Sequence, residues 1–418
     1  MGEGDEVWYL RTEPATGYYV CDRCFGDDTI KGFIKANTSH TECDFCGRQG
    51  DEQPIAAPLV DVADLINDSI AREYQRAVEI LPWDSGEGGY QGRHFDSYDL
   101  LRDEIGLELP NDDGQLLQVL AECVGDEVWC ERNPFSLRED EKLVYSWERF
   151  SNLIKHERRY FFLYERRDRE NDYDREYLGP SKLLQFIGET VRDFDLIKTI
   201  KQGSLTYRAR HLKSGENLQS PHDLGPPPKE KATWSNRMSP AGIVMFYASD
   251  DPATAIAEID DDPNVGIVVG TFRVTKAIQV LDLTRLPARP SFFDRDIGYD
   301  RYAVHFLHAF VESLAAKVEP GEREHIDYVP TQVVTEWFRT VFRYRDSPID
   351  GIYYPSSQKR DGRSLVLFAN RDHLLLTPEQ IRQLAEQEQI EEWWVRTLQE
   401  KAWLELVGVR VERSPKPI

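Results

Sequence analysis

The sequence contains no apolar run long enough for a membrane-spanning helix, which needs about 20 residues. Its first residues, MGEGDEVWYL, lack the basic and apolar regions of a secretory signal peptide. We therefore expect a cytoplasmic protein that has no membrane partner.

Basic residues are fewer than acidic ones: the sequence has 51 Lys and Arg and 74 Asp and Glu, which gives a net charge of −23. A surface this acidic repels phosphate backbones, and sequence-independent nucleic-acid binding depends on Lys and Arg that neutralise them. The composition therefore argues against a nucleic-acid partner, except at a local basic site, and against anionic membrane surfaces.

Cysteine is also sparse, since the 418 residues include six, too few for a secreted disulfide framework. Four of them form two CxxC pairs on either side of residues 25–42: Cys21, Cys24, Cys43 and Cys46. Tetrahedral zinc takes four thiolates from such pairs, and a site with all four positions filled is structural. The alternatives are reduced structural cysteines and a redox pair, although a redox motif needs one CxxC at a helix start rather than two. Cys123 and Cys130 are expected to be inert buried thiols.

The pattern along the chain predicts four segments. Residues 1–54 form a small zinc-ribbon-like module in which GYYV and IKGFIKA are short strands. Residues 55–190 are helical, with apolar residues at three- and four-residue spacing in VADLINDSIAREYQRAVEIL. Residues 191–385 mix short strands with helices, which indicates an α+β domain, and residues 386–418 form a C-terminal helix and tail.

One acidic residue stands out in the α+β segment. A strand over residues 244–248 stops at Ser249-Asp250-Asp251, which can cap a helix that begins at Pro252. Glu258 then falls about two turns after the cap, at the end of an apolar run. Periodicity alone fits a solvated helix residue as well as a functional carboxylate.

Four motifs occur in a family-specific order: YRAR, NRMSPAGIVMFYASDDPATAIAEI, DYVPTQVVTEWF and DGIYYPSSQKRDGRSLVLF. This order resembles the RES domain over roughly residues 195–370. The preceding WERFSNLIKHERRYFF resembles the HEPN-related N-terminal domain of some RES proteins. The resemblance implies a multidomain α+β protein with a small four-cysteine zinc module, a helical HEPN-like domain and an ADP-ribosyltransferase-like RES domain.

The same resemblance implies an activity, a substrate and partners. RES proteins are toxins of toxin–antitoxin pairs that degrade NAD as glycohydrolases or phosphorylases. It therefore implies NAD as the substrate and an antitoxin or trigger protein as a partner. It leaves open whether the protein forms a homo-oligomer, and whether the N-terminal domains sense, restrain or oligomerise.

The family's functional positions match five residues of this sequence: Arg208, Arg237, Tyr247, Glu258 and Ser356. Glu258 is expected to stabilise the oxocarbenium character that develops on the ribose as nicotinamide leaves. Arg208 and Arg237 are expected to bind the pyrophosphate through forked donors. Tyr247 is expected to stack on the nicotinamide ring, and Ser356 to hydrogen-bond the ribose or the carboxamide.

Three alternatives to NAD cleavage follow from the same features. The site could transfer ADP-ribose to a macromolecule. The spacing Arg149-x6-His156 fits the loose Arg-x(4–6)-His pattern of HEPN ribonucleases, although such spacing arises by accident in an Arg-rich helix. The third alternative is a sensor or adaptor whose RES domain is inactive.

Overall fold

The computed structural model describes residues 12–163, 177–259, 262, 264–294, 298–316, 323–389 and 391–413. Its α-helices are α1 (Asp28–Ala36), α2 (Leu59–Glu73), α3 (Ala77–Ile80), α4 (Ser97–Asp99), α5 (Gln115–Val124), α6 (Glu139–Asn152), α7 (Pro180–Asp193), α8 (Pro221–Leu224), α9 (Pro252–Ala257), α10 (Gly298–Ala315), α11 (Glu324–Asp327), α12 (Val329–Thr340), α13 (Pro378–Glu388) and α14 (Glu392–Gln399). Its strands are β1 (Tyr19–Cys21), β2 (Ala56–Pro58), β3 (Tyr74–Arg76), β4 (Trp83–Asp84), β5 (Gly89–Tyr90), β6 (Phe95–Asp96), β7 (Val128–Glu131), β8 (Ile197–Ile200), β9 (Leu205–Leu212), β10 (Phe246–Ser249), β11 (Gly266–Val274), β12 (Ile278–Asp282), β13 (Gly351–Pro355), β14 (Arg363–Leu367) and β15 (Leu404–Arg413).

The chain divides into two compact units. The first comprises Met1–Glu139 and Arg289–Tyr302, and the second comprises Asp140–Ala288 and Ala303–Ile418. These units do not follow the segment boundaries expected from the sequence. Helix α6, expected in the helical segment that ends at residue 190, buries its apolar face in the core of the second unit.

The first unit has one hydrophobic core shared by the cysteine-bearing residues and the helices that follow them. Ile30 of α1 and Ile66 of α2 are buried in that core, and so is Phe293 from the segment that returns late in the chain. The expected helical segment also contains a three-stranded antiparallel sheet in the order β3-β7-β6. The predicted zinc module is therefore packed as part of a larger unit.

The prediction of a strand at IKGFIKA is wrong, because these residues lie in helix α1. The Asp27 carboxylate accepts hydrogen bonds from the backbone N–H groups of Thr29 and Ile30, at 2.9 and 3.0 Å. That cap starts a helix whose Ile30 and Ile34, one turn apart, are both fully buried.

An eight-stranded sheet organises the described part of the second unit, in the order β15-β11-β9-β10-β14-β13-β12-β8. Its pairings are antiparallel except that of β12 with β13. Strand β10 meets β9 at one position, Ser249 opposite Tyr207. The expected α+β class is confirmed, and the short β9–β10 pairing borders the cavity described below.

The C-terminal segment differs from the expected helix and tail. After α13 and α14 the chain forms strand β15, which pairs antiparallel with β11 from Leu404 opposite Val274 to Arg413 opposite Ile267. A strand at the end of the chain needs a partner from elsewhere in the sequence. The spacing of apolar residues within the segment does not identify β11 as that partner, so the sequence does not predict the strand.

Candidate active site

A cavity of about 760 Å³ opens in the second unit. Its walls come from strands β9, β10, β13 and β14, from α9 and Glu258 after it, and from residues 234–237 of the loop before β10. Residues at the start of α11 and of α12 complete it. The cavity collects four of the five positions expected to be functional: Arg208, Arg237, Tyr247 and Glu258.

Glu258 is held where the sequence predicts it, directly after the short helix α9. Asp251 is the N-cap, and its carboxylate accepts from the Thr254 N–H at 2.9 Å, while Pro252 takes the first helical position. Although burial opposes ionisation, hydrogen bonds from Thr254 and Lys359 lower the pKa of Asp251 to about 2. The cap is therefore ionised at neutral pH, and the six-residue helix ends with Glu258 half-buried at the cavity wall.

Two serine hydroxyls hold the Glu258 carboxylate. Ser356 donates to Oε1 at 2.5 Å and Ser364 donates to the same oxygen at 2.9 Å. Within the described ranges, Oε2 has no hydrogen-bond partner. Two donors to one oxygen fix the orientation of the carboxylate. The arrangement leaves one carboxylate oxygen for a group that enters the cavity.

Ser356 acts one layer behind the cavity wall rather than on it. Its backbone N–H donates to Gly362 O at 2.9 Å, and its hydroxyl accepts from the N–H groups of Gln358 and Lys359 at 3.2 and 3.1 Å. The adjacent Ser357 lines the cavity instead. The structure therefore brings Ser356 to Glu258, and not to the space where a substrate would lie.

Sequence reasoning missed Ser364. It lies on β14 opposite Ser249 and Tyr354, and it is 2% exposed. The one signal in the sequence is a hydroxyl residue directly before the buried apolar run that begins at Leu365. Its contact with Glu258 spans 106 residues, so no local pattern predicts it.

The Arg208 guanidinium borders this cavity and forms no ion pair with another described residue. Its Nη1 is buried and has no hydrogen-bond partner within the described ranges, and the group lies over the Phe246 ring at 5.2 Å. Burial, with a smaller effect from Arg210, lowers the pKa of Arg208 to about 9. A buried cation without a partner is costly, and an anion bound in the cavity would supply one.

Arg237 and Tyr247 are both fixed by neighbours. Arg237 Nη1 donates to the carbonyl oxygens of Leu314 and Ala316 at 2.5 and 2.7 Å, near the end of α10. The Tyr247 hydroxyl shares a 2.9 Å hydrogen bond with Ser239. Burial raises the pKa of Tyr247 to about 12, so the ring carries no charge at neutral pH.

The four predicted metal ligands converge in the first unit. The Sγ atoms of Cys21, Cys24, Cys43 and Cys46 all lie within 4.8 Å of one another. The closest pairs are Cys21–Cys46 at 3.5 Å, Cys24–Cys43 at 3.6 Å and Cys21–Cys24 at 3.9 Å. Tetrahedral zinc with about 2.3 Å Zn–S bonds requires sulfur atoms about 3.8 Å apart. The donor set and its dimensions fit a metal ion.

Neighbouring sulfur atoms shift the pKa values of thiols in this cluster. Hydrogen bonds from Cys21 and Cys43 raise the pKa of Cys24, while hydrogen bonds from Cys21 and Cys24 lower that of Cys43. Thiolates are the form that binds metal, and a cation would replace the shared protons. Away from the cluster, burial raises the pKa of Cys123 to about 11, as expected of an inert thiol.

The two residues of the ribonuclease alternative border different cavities. The Arg149 guanidinium lies over the Tyr177 ring at 4.4 Å and borders a small cavity of about 160 Å³. His156 borders a different cavity, beside Trp147 and Lys155. A general base and a phosphate-binding cation must reach the same substrate atoms, which this arrangement does not favour.

Parts of the chain match the models of known protein families. Residues 206–392 match the family model of the RES domain, and residues 36–168 match that of the HEPN/RES N-terminal domain 1. No curated protein and no solved structure matches the chain. Among the described residues, no helix has the length and apolar character needed to cross a membrane.

Proposed function

Since this chain is a RES-domain protein with a HEPN/RES N-terminal domain, we propose that it breaks the nicotinamide–ribose bond of NAD. The observation that carries the proposal is a carboxylate, Glu258, held by two hydroxyls in the same cavity as the uncompensated Arg208 guanidinium. A dinucleotide has the matching features, an anionic pyrophosphate and a ribose carbon that becomes cationic in the reaction.

The chemistry places its main demand on the ribose. The C1′–N bond breaks with its electron pair on the nicotinamide nitrogen, so the leaving group departs neutral and needs no proton. Positive charge develops on the ribose, and the free Oε2 of Glu258 stabilises it there. The acceptor then bonds to C1′: water gives ADP-ribose and a proton, and phosphate gives ADP-ribose phosphate.

The other residues bind and orient the substrate. Arg208 supplies charge for the pyrophosphate, because its Nη1 has no protein partner among the described residues. Arg237 adds a second guanidinium whose position is set by the Leu314 and Ala316 carbonyls. The neutral Tyr247 ring stacks on the positively charged nicotinamide, and Ser356 acts through Glu258.

The experiment that tests the activity is incubation of the full chain with NAD and quantification of released nicotinamide. Glu258→Gln should lower turnover about 100-fold or more without changing the melting temperature. Glu324→Gln is the matched control, because Glu324 lines the same cavity and is not one of the described hydrogen-bond partners of Glu258. Equal turnover by wild type and Glu258→Gln, or none by either with and without phosphate, would refute the proposal.

The same reaction identifies the acceptor. Mass spectrometry of the soluble products distinguishes the two cleavage reactions. Hydrolysis gives ADP-ribose, whereas phosphorolysis gives ADP-ribose phosphate. Label from adenine-labelled NAD that stays on protein or nucleic acid would instead indicate transfer to a macromolecule. Arg149 and His156 border different cavities, which gives no support to a ribonuclease.

The metal and the biological role extend the proposal. Zinc is the metal we assign to the four-cysteine cluster, because four thiolates at these spacings suit it. All four positions belong to protein, so the metal supports folding of the first unit. In the cell the enzyme acts in the cytoplasm as a toxin or defence effector that depletes NAD, under the control of an antitoxin or trigger protein.

A further inference from the structure

An exposed indole borders the catalytic cavity. Trp234 lines the cavity, yet 78% of its surface is exposed. Burying an aromatic side chain of this size contributes about 1.5–3 kcal/mol, and Trp234 forgoes that packing. A single exposed apolar residue needs no explanation on an ordinary surface. Its position at the wall of a candidate active site suggests a ligand.

Hydrogen bonds hold the loop that carries Trp234 in place, although the indole itself is mostly exposed. The Gln332 amide donates to Asn236 O at 2.8 Å and to the Ser235 hydroxyl at 3.1 Å. The Thr331 hydroxyl donates to Arg237 O. Both anchoring residues belong to α12, which is packed in the core of the second unit. The indole is thus presented by a preorganised backbone, which reduces the entropy cost of binding.

Arg237 lies three residues after Trp234 on the same cavity wall. Two backbone carbonyls fix its guanidinium, which also lies over the Tyr328 ring at 5.6 Å. Glu258 directly follows α9 and Ser364 lies on β14, so both come from parts of the wall other than the Trp234 loop. The cavity therefore offers a carboxylate for one ribose, guanidinium groups for phosphates, and a free aromatic face on the arginine-bearing loop.

We propose that Trp234 forms the subsite for the adenine base of the dinucleotide, with the ring stacked on the indole. This inference rests on the proposed NAD cleavage and adds a specificity-determining residue to it. Base–aromatic stacking is tolerant of the base's identity and strong enough to matter for affinity. Nicotinamide would then bind beside Glu258, adenine on Trp234, and the pyrophosphate at the arginines.

The experiment compares Trp234→Ala and Trp234→Phe with Trp393→Ala in the full chain. Trp393 is a matched control, because it is 61% exposed and lies on α14, away from the cavity lining. We expect Trp234→Ala to weaken ADP binding in calorimetry about 5- to 100-fold. The KM for NAD should rise by a similar factor while kcat stays within about twofold, and Trp234→Phe should restore most of the loss.

A substrate without the second base completes the test. Nicotinamide mononucleotide has no adenine, so wild type and Trp234→Ala should process it equally. An equal loss with this substrate would overturn the proposal, since Trp234 would then act at the nicotinamide end. Unchanged ADP affinity in Trp234→Ala, or no ADP binding by wild type, would also overturn it.

The binding measurement separates this inference from the proposed activity. If wild type releases no nicotinamide, NAD cleavage fails, whereas loss of ADP binding in Trp234→Ala still supports the base subsite. If nicotinamide is released and Glu258→Gln abolishes it, an unchanged KM in Trp234→Ala refutes the subsite alone. Trp234 is exposed, so its replacement should leave the melting temperature unchanged.

Discussion

The hydroxyl of Ser364 is expected to be worth one to two orders of magnitude in turnover. Ser364→Ala removes one of the two donors to Glu258 Oε1, the one at 2.9 Å, and leaves Ser356 in place. A hydrogen bond to a charged group contributes about 1.5–3 kcal/mol. If that contribution acts in the transition state, kcat falls about 10- to 150-fold, since each 1.36 kcal/mol is a factor of ten.

The loss should appear in kcat rather than in KM. Glu258 meets the ribose only as charge develops there, whereas the arginines bind the pyrophosphate in the ground state as well. The assay is initial-rate nicotinamide release over a range of NAD concentrations, with the melting temperature measured in parallel. Ser357→Ala is the control, because Ser357 lines the cavity and does not contact Glu258.

A double variant tests whether the two serines act as a pair. Ser356 also accepts two backbone N–H groups, so Ser356→Ala should lower the melting temperature as well as kcat. Because both hydroxyls donate to one oxygen, the effects of Ser356→Ala and Ser364→Ala should not add. A Ser364→Ala enzyme with wild-type kcat and an unchanged fold would refute the account of how Glu258 is held.

Two further predictions concern the metal cluster and the cap of α9. Cys24→Ser should lose the bound metal and destabilise the first unit, because one of four ligands is removed. Elemental analysis measures the metal, and the control Cys123→Ala should retain it. Full metal content in Cys24→Ser would contradict a four-cysteine site. Asp251→Ala should cost about 1 kcal/mol of stability by loss of the cap, and its melting temperature decides this. The Asp251 pKa is about 2, below the ordinary 3.8, so this carboxylate's contribution is complete above pH 3.8 and is lost as the pH falls through 2. A cap effect as large at pH 2 as at pH 7 would contradict this assignment.

The site residues that could be predicted belong to local motifs. A CxxC pair is a turn that positions two sulfur atoms, so Cys21 and Cys24 announce a metal site without knowledge of the fold. Asp251 and Pro252 predict a helix start in the same way, and the helix start predicts that Glu258 lies at the end of the short helix. In each case the physical cause acts within a few residues, so the sequence displays it.

The features that could not be predicted depend on distant partners. IKGFIKA has apolar residues that fit a short strand, but the Asp27 cap and the core of the first unit make it a helix. The segment after Gln399 becomes β15 because β11 offers an edge to pair with. Local propensity is weak compared with such packing and pairing.

Sequence alone determined the acidic character of this protein, its two cysteine pairs, the α+β class of its C-terminal half and the identity of four residues that line the cavity. Only the tertiary structure showed that Ser364 donates a hydrogen bond to Glu258 and that Ser356 bonds Glu258 without lining the cavity. It also showed that Trp234 lines the cavity and remains exposed. The reason is that a sequence motif reflects interactions between residues that are close together in the chain. The partner of a carboxylate 106 residues away is chosen by the pairing of strands.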